Sequence, residues 1–573
     1  MYRNMNKMRL TALVAVIAII GLVSFGLFSR PNVEAIDSEE FSAERVVKDI
    51  EVISREHHSV AHPEERARVR EYLVGRLTAM GADTVKLFEH KALTGPENKH
   101  VTYTFDATNI LAEFASPKGD NATSLMFIAH YDSRYSQPMP KQDTVWSYGA
   151  ADDGYGIGIS LEATQLALKY RDEWQQGVKI LFTDAEEVGM KGMKALWEQR
   201  REEFDNVGLV INIEARGPYG PALLFETSAG NDKLMELYAE AAKYPCTYSL
   251  TTVVYGFMPN FTDFTIIKDS IPGFNFSTVA DINHYHTDKD NFSTINPQSI
   301  QHYGAQIAPI VKNYLTNAQY SDPKSLISDK DTVNFTLPAL GLFNFSKTTY
   351  WIINITIFIL FALLLTLEII RGRVKLRGVV LVSLKTLLIA LCGLIIGELI
   401  AWGGSTIAGA EFKPFGIVQG VVGDNAIMAI STSIIIAVVA ILYLRKRRNI
   451  ARQSSGAVRA NAGAAAVALN TNNELYGALS MSLLLSLVLL TAIGENLMFF
   501  IPLCAATLSL ALYRLTTLRE WCLLGIALIV LHALSFLYTL AMALTIGAFG
   551  AVVMLALFDT MIVIPLVDIY IRK

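Results

Sequence analysis

The sequence predicts an α/β domain, built as a three-layer α/β/α sandwich, followed by an all-α domain of several membrane-spanning helices. Two observations lead to this prediction. Residues 30–349 alternate short apolar runs with helical patterns, which is typical of helices on both faces of a largely parallel, mixed sheet. From residue 350 to the end, long apolar runs follow one another, with only 25 charged residues among 224.

The composition excludes several classes of protein. Hydrophobic residues make up 52% of the 573 residues and charged residues 18%, so the chain is too apolar to be disordered. A net charge of -4 argues against a basic nucleic-acid binder, and no nucleic-acid partner is expected. Because the chain has only four cysteines, a disulfide-based scaffold is excluded as well.

An uncharged apolar run, Leu10–Phe28, lies near the N-terminus and follows three basic residues, Arg3, Lys7 and Arg9. Its 19 residues are enough to cross a bilayer, and no clear small-residue cleavage site follows it. The sequence therefore favours an uncleaved transmembrane anchor over a removed signal peptide. Residues 1–29 are expected to form a cytoplasmic tail and this anchor.

The α/β domain is expected to cover residues 30–318, and residues 319–349 are predicted to form a linker. A helix is predicted at 63–80, because Pro63 stands at its start and Gly81 follows its end. Further helical patterns lie at 156–170, 232–243 and 297–316. Four apolar runs suit buried strands: Leu125–Ala129, Val178–Thr183, Leu209–Ile213 and Gly273–Ser277.

The membrane domain is expected to cover residues 350–573 with about seven helices. The apolar runs lie near 350–370, 378–402, 424–444, 475–493, 497–513, 520–540 and 543–570, and the last could be one helix or two. With the N-terminal anchor this gives eight spans, or nine. With eight, every basic cluster falls on one side of the membrane, so both termini are expected in the cytoplasm and residues 30–349 outside.

These features predict an integral membrane protein, and the plasma membrane of a bacterium is favoured over a secretory-pathway membrane of a eukaryote. The lipid bilayer is then a partner, and the membrane domain offers a route to oligomers. Glu398 and Asp559 lie within apolar runs, where they mark either a polar pathway or helix packing.

Polar residues follow each predicted strand. Because strand carboxyl ends meet at one edge of an open α/β sheet, these residues are expected to converge there. The segments are His130-Tyr-Asp132, Asp152-Asp153-Gly, Glu186-Glu187-Val-Gly, Glu214-Ala-Arg216 and His284-Tyr285-His286-Thr-Asp-Lys-Asp290.

Two histidines and three carboxylates suit a pair of divalent metal ions with one bridging carboxylate. Imidazole and carboxylate ligands favour zinc, ahead of cobalt or manganese. Such a pair polarises a carbonyl and activates a water, and it needs a general base that is not itself a ligand. In the pair Glu186-Glu187, adjacent side chains project differently, so one can bind metal while the other accepts a proton.

These five segments, in this order, resemble the co-catalytic dizinc exopeptidase family of secreted aminopeptidases, glutamate carboxypeptidase and glutaminyl cyclases. The resemblance covers about residues 45–316. The multi-span half makes the chain similar to the membrane branch, with the endoplasmic-reticulum metallopeptidase and the vacuolar membrane protease. The resemblance implies five metal ligands, with Asp152 as the bridge and Glu186 as the general base: His130, Asp152, Glu187, Glu214 and His286.

The resemblance also implies supporting roles. Asp132 would orient His130, and Asp153 follows the bridging residue through a peptide bond that is often cis in the family. Arg216 could contact substrate oxygen atoms, Tyr285 precedes the last ligand, and Asp263 is expected to be structural or supporting. His286 is favoured over His284 as the ligand by the Tyr-His-Thr pattern. His57, His58 and His62 precede the sheet and are expected on the surface.

The function implied by the resemblance is a membrane-anchored, two-zinc metallopeptidase that removes N-terminal residues from peptides. One alternative is a single-zinc glutaminyl cyclase. The other is a scaffold or receptor without catalytic activity, and such relatives typically lack metal ligands. The preferred N-terminal residue of the substrate is not determined by these motifs.

Overall fold

The computed structural model describes residues 2–27, 31–98, 101–119, 122–136, 145–256, 260–337, 339–452 and 457–572. The chain divides into two compact units. We call Phe28–Thr336 with Leu340–Lys347 the α/β unit. The helical half comprises Met1–Leu27, Leu337–Ala339 and Thr348–Lys573.

Strands and helices are numbered separately in chain order. The strands are β1 (Thr84–Asn98), β2 (Val101–Phe114), β3 (Ser124–His130), β4 (Tyr135–Ser136), β5 (Val145–Trp146), β6 (Gly177–Thr183), β7 (Val207–Ala215), β8 (Leu223–Thr227), β9 (Gly273–Thr278), β10 (Thr332–Leu337) and β11 (Gly341–Ser346). The helices are α1 (Tyr2–Leu27), α2 (Ala43–Ile53), α3 (Pro63–Ala79), α4 (Gly154–Ala167), α5 (Lys191–Gln199), α6 (Asp232–Ala241), α7 (Ser249–Gly256), α8 (Asp263–Ile267), α9 (Pro297–Thr316), α10 (Lys347–Ile370), α11 (Leu376–Ala408), α12 (Asp424–Arg452), α13 (Ala457–Ile493), α14 (Leu497–Thr516), α15 (Glu520–Leu544) and α16 (Phe549–Ile571).

The α/β unit is built on a seven-stranded mixed sheet with the order β1-β2-β6-β3-β7-β9-β8. The four central strands, β6, β3, β7 and β9, run parallel to one another. Antiparallel strands flank them, with β1 and β2 on one side and β8 on the other. All four central strands therefore end at the same edge of the sheet.

The two faces of the sheet are covered by different helices. Alternate residues of β3 point to opposite faces, as the period of two requires. Leu125 and Phe127 pack in a core with α2, α3, α4, α6 and α9, whereas Met126 and Ile128 pack in a second core with α5 and α8. The predicted three-layer α/β/α sandwich is confirmed.

The four predicted strands match β3, β6, β7 and β9 to within two residues at each end. The helices predicted at 63–80, 156–170, 232–243 and 297–316 match α3, α4, α6 and α9. The long antiparallel pair β1 and β2 was not anticipated. It lies at the sheet edge, where one face is partly exposed, so it lacks the continuous apolar run that marks a central strand.

The segment 319–349, predicted as a linker, carries the hairpin β10–β11. Val333, Phe335 and Leu337 alternate along β10 and are buried. Asn334 also accepts a hydrogen bond from the Thr247 hydroxyl at 3.1 Å. Because residues 321–331 are mostly polar, the short apolar alternation that follows them in β10 was not recognised, and the segment was predicted to be a linker.

The helical half contains α1 and α10–α16. Among the residues that the structure describes, six helical segments are long and apolar enough to cross a membrane, judged by length and composition. One of them, Glu520–Ile571, contains both α15 and α16. In α1 the apolar stretch found is Met8–Leu22, which is shorter. The Ala- and Asn-rich stretch at 457–473 forms the start of α13, because alanine strongly favours helix.

Two glycines in helices provide a matched test of core packing. A Cβ at Gly304 in α9 would lie 2.0 Å from the buried Phe41 ring, whereas a Cβ at Gly75 in α3 would meet nothing within 4 Å. We expect Gly304→Ala to lower the free energy of unfolding by about 1–3 kcal/mol through overpacking. Gly75→Ala should raise it by up to about 1 kcal/mol, because alanine is the better helix former.

Urea unfolding of residues 31–347, followed by the fluorescence of the buried Trp174, measures both changes. Equal effects of the two substitutions would contradict the close contact between α9 and Phe41.

Candidate metal centre

The candidate centre lies at the carboxyl edge of the four parallel strands. His130 is the last residue of β3, and Glu214 lies near the end of β7. Asp152 comes directly before Asp153, which caps α4 by accepting a hydrogen bond from the Gly156 amide at 3.0 Å. Glu187 follows β6 and His286 follows β9, so each ligand candidate is held by a different element.

Five side chains form two groups that share one carboxylate. His130, Asp152 and Glu214 make one group, and Asp152, Glu187 and His286 make the other; within each, the candidate ligand atoms lie within 4.8 Å of one another. His130 Nε2 is 3.2 Å from Asp152 Oδ1, and His286 Nε2 is 3.2 Å from Asp152 Oδ2. The two oxygens of Asp152 thus face the two imidazoles.

The donor set fits a pair of divalent ions. Among the five candidate ligands, two buried carboxylate oxygens, Asp152 Oδ2 and Glu187 Oε1, receive no hydrogen bond. Buried oxygens of this kind are costly unless a cation or a donor satisfies them. His286 Nε2 lies 3.1 Å from Glu187 Oε2, so imidazole and carboxylate converge on the same space.

The electrostatics of the centre also call for positive charge. Burial, together with repulsion from the nearby Asp152 carboxylate and against the attraction of His130, raises the pKa of Glu214 to about 8. Burial, followed by repulsion from Glu214, Asp263 and Glu187, holds the pKa of Glu186 well above its usual range. Ionisation of both Glu214 and Glu186 in this buried cluster requires a compensating positive charge, which divalent ions would provide.

The imidazole of His130 is oriented by a backbone group. Its Nδ1 lies 2.9 Å from the carbonyl oxygen of Asp132, which leaves Nε2 to face Asp152. Burial opposes a charged His130, but hydrogen bonds with Asp132 and Asp152 outweigh burial and hold its pKa well above the usual range. Asp132 therefore orients His130 chiefly through its main chain.

The Asp132 carboxylate has a second task. Its two oxygens accept hydrogen bonds from the backbone amides of Glu186 at 2.9 Å and Glu187 at 3.3 Å. This carboxylate therefore holds the turn that presents both glutamates. The preceding residue, Ala185, has a φ of +60°, in the left-handed region that costs a non-glycine residue free energy.

Among the two glutamates, only Glu187 belongs to a group of candidate ligands. Glu187 is buried, and Glu186 is half-buried beside it. His286 rather than His284 reaches Asp152, because the His284 ring lies against Asp281. His286 has a φ of +57°, and the Tyr285 ring stacks on it at 3.6 Å between centroids.

The remaining predicted residues surround the centre. Asp153 accepts a hydrogen bond from the His130 amide at 3.3 Å, and the Asp152–Asp153 peptide bond is cis. Asp263 is buried and accepts a hydrogen bond from the Thr183 hydroxyl at the end of β6. The Arg216 guanidinium lies 5.8 Å from the centre of the Tyr285 ring. Asp263 supports a strand end and lies in neither group of candidate ligands.

Two supporting residues had no role assigned from the sequence. Asp290 accepts hydrogen bonds from the amides of Ala151 at 2.7 Å and Asp152 at 3.2 Å. Arg134 donates to the carbonyl oxygen of Glu187, and its Nη1 lies 3.3 Å from Glu187 Oε2. The spacing of Asp290, four residues after His286, was a usable signal. No sequence signal pointed to Arg134, because its partner Glu187 lies 53 residues away in the chain.

The prediction that His57, His58 and His62 lie on the surface is wrong for His58. Its side chain is buried, its backbone amide donates a hydrogen bond to the Ser133 hydroxyl oxygen at 3.1 Å, and burial lowers the pKa of its imidazole to about 4. His57 and His62 are half-buried, and they pack against Tyr148 and Trp146 respectively. The segment 54–62 thus folds beside the loop that carries Asp152.

Residues 109–311 match peptidase family M28, which confirms the resemblance expected from the motifs. The chain is 26% identical over 252 residues to the putative endoplasmic reticulum metallopeptidase 1-A of Caenorhabditis elegans, covering 43% of this chain and 26% of that protein. It is 25% identical over 335 residues to the vacuolar membrane protease of Schizosaccharomyces pombe, covering 56% and 36%. The match thus spans about a quarter to a third of these relatives.

Among solved structures, a Zn-dependent exopeptidase from Parabacteroides distasonis has a TM-score of 0.38 and 19% identity. The likeness covers 48% of this chain and 99% of that one.

The hydrogen bonds of Asp290 generate a prediction for metal affinity. Asp290→Asn replaces one carboxylate oxygen by an NH2 group, which cannot accept a hydrogen bond. The backbone N–H of either Ala151 or Asp152 would then lose its acceptor. We expect zinc affinity to fall about 10–100-fold, the usual cost of losing a residue that orients a ligand. Chelator competition measures it. Asp288→Asn, an exposed change two residues away, is the control; equal losses in both variants would contradict this role.

Proposed function

We propose that this chain, whose residues 109–311 match peptidase family M28, is a membrane-anchored zinc peptidase that uses two metal ions and removes N-terminal residues from peptides. One observation carries the proposal. Two groups of candidate ligands, each with one imidazole and two carboxylates, share the Asp152 carboxylate at the carboxyl edge of the sheet. This arrangement suits two divalent ions, and the ligand types favour zinc.

In this proposal His130 and Glu214 would hold one ion, Glu187 and His286 would hold the other, and the Asp152 carboxylate would serve both. When bound, the ion pair would polarise the scissile carbonyl and lower the pKa of a water molecule. Asp132, Asp290 and Arg134 fix the turns that carry these ligands, through the hydrogen bonds described above. Their part is to keep the ligands in place before substrate arrives.

Glu186 is the proposed general base. It lies next to Glu187 on a turn held by Asp132, it is half-buried, and it belongs to neither ligand group. A carboxylate in that position can accept the proton of the attacking water and deliver it to the leaving amine. Proton transfer by a positioned side chain contributes typically about 10²–10⁴-fold to the rate.

The two alternatives are disfavoured by specific observations. A glutaminyl cyclase with a single zinc needs only one ligand group, whereas the chain brings two together. A scaffold without activity is expected to have lost ligands, and here all five candidates and the neighbouring Glu186 are present and adjacent. The preference for N-terminal residues is carried over from the resemblance to exopeptidases.

We also propose that residues 1–29 and 350–573 anchor the protein in a membrane and that the α/β unit lies on the side away from the cytoplasm. The apolar segments of the helical half support the membrane location. The basic residues after α10, α12 and α14 lie at one end of these helices, which supports the orientation. The expected compartment is a bacterial plasma membrane.

The proposal is tested by counting metal ions on the purified full chain and assaying it on peptides. We expect about two zinc ions per chain and release of the first residue from peptides with a free N-terminus. An N-terminally acetylated copy of the same peptide is the control and should not be cleaved. One zinc ion with cyclisation of a Gln-leading peptide would identify a cyclase, and a fully loaded chain without turnover would identify a scaffold.

The adjacent glutamates generate a separate prediction. Glu186→Gln should lower turnover by at least about 10²–10⁴ while both ions stay bound, because a base is lost but no ligand. Glu187→Gln should instead weaken binding of one ion. Turnover and metal content are measured together, with exposed Glu198→Gln on α5 as the control. Loss of metal in Glu186→Gln, with retention in Glu187→Gln, would reverse the assignment.

A further inference from the structure

The helical half contains a cavity of about 250 Å³ between α11, α12, α13 and α16. One part of its wall is charged, with Lys385, Lys446 and Glu474. The rest is mainly apolar and includes Ile389, Val439 and Pro565. The cavity therefore combines an ionic end with an apolar end, and nothing in the proposed peptidase mechanism uses it.

The ionic end is organised by one buried carboxylate. Glu474 is fully buried, and its two oxygens lie 2.8 Å from Lys385 Nζ and 2.5 Å from Lys446 Nζ. Each ammonium has three N–H donors, so two remain on each after the bond to Glu474. Both lysine side chains are also partly exposed, at 40% and 47%. The trio thus carries one excess positive charge with donors to spare.

A second ionic group lies at the same end of these helices. Asp568 on α16 is buried and pairs with Arg447 on α12 at 2.9 Å and with Arg572 at 2.8 Å. This group also carries one excess positive charge. Arg445, Arg448 and Arg452 follow along α12, which makes this end of the helices strongly basic.

The apolar end leads away from the charges along α12. Val439 lies seven residues before Lys446, which is about 10 Å along a helix. Leu442 also lines the cavity and is 57% exposed, and its neighbours Val438 and Ile441 are exposed as well. An apolar chain leaving the cavity would therefore continue over the outer face of α12, where acyl chains would surround it.

We propose that this cavity binds an anionic phospholipid, with the headgroup phosphate on Lys385 and Lys446 and the start of an acyl chain against Ile389, Val439 and Pro565. Basic pockets between membrane helices are suited to anionic headgroups, because phosphate accepts the ammonium hydrogens and balances the excess charge. A volume of 250 Å³ holds a headgroup and the first part of a tail rather than a whole lipid. The inference is independent of the proposed peptidase activity.

The test uses the full chain in detergent, titrated with dioleoylphosphatidylglycerol or dioleoylphosphatidylcholine, with bound lipid counted by native mass spectrometry. We expect one phosphatidylglycerol molecule to be retained at least about tenfold more tightly than phosphatidylcholine. Lys446→Gln should weaken its retention about tenfold, since a charged hydrogen-bond donor is lost. Arg448→Gln, an exposed charge change on the same helix, should alter it less than about twofold.

A second variant tests the apolar end without disturbing the ion pairs. Val439→Trp should fill the cavity and weaken phosphatidylglycerol retention about tenfold while both lysines and Glu474 stay in place. This variant also tests the proposal if Lys446→Gln does not fold. Such a failure could occur because the buried Glu474 carboxylate would keep only one cationic partner, Lys385. Equal retention of the two lipids, or unchanged retention in Val439→Trp, would overturn the proposal. Saturable binding of inorganic phosphate without lipid binding would assign the lysines to a soluble anion instead.

Discussion

The position of the Asp152 carboxylate is the constraint on which the candidate metal centre depends. Its two oxygens each lie 3.2 Å from a different imidazole, so a shift of this one side chain would alter both groups of candidate ligands. The parallel strands β3, β6, β7 and β9 end at one edge of the sheet, which brings the other ligands to it. Neighbouring parallel strands lie about 4.8 Å apart, so residues at their ends can share a metal centre.

Holding so many carboxyl groups together is costly, and the structure offsets this cost with backbone contacts. Asp132 accepts the amides of Glu186 and Glu187, and Asp290 accepts those of Ala151 and Asp152. These hydrogen bonds fix the loops rather than the ligand side chains themselves. The ligand oxygens that remain without donors are thereby held ready for cations, which is what a preorganised centre requires.

The helical half also contains buried carboxylates, but there they are stabilised by basic side chains. Glu368, Glu474 and Asp568 are all buried, and each pairs with two or more basic side chains. Because each carboxylate has more than one cationic partner, the groups carry excess positive charge. In the α/β unit the acidic groups outnumber the basic ones and favour metal ions, whereas here the excess is basic and favours an anionic ligand.

The sequence by itself determined the parts that have a local cause. Continuous apolar runs identified the four central strands, and helical periodicity with its end signals identified α3, α4, α6 and α9. The polar segments at the strand ends located the candidate centre, and the resemblance to the exopeptidase family singled out the five candidate ligands and Glu186 within them. His130, Glu187, Glu214 and His286 could be found because each ends or follows a strand whose composition reveals it, whereas Asp152 lies just before α4.

Tertiary structure decided the rest, because it depends on partners far apart in the chain. The order of the sheet and its antiparallel edge strands follow from pairing between segments such as β2 and β6, which no local pattern encodes. Arg134 reaches Glu187 across 53 residues, and Lys385 meets Glu474 across 89. His58 is buried only because the loop carrying Asp152 folds against it. A long-range contact has no signature in either segment alone, so only the folded chain shows it.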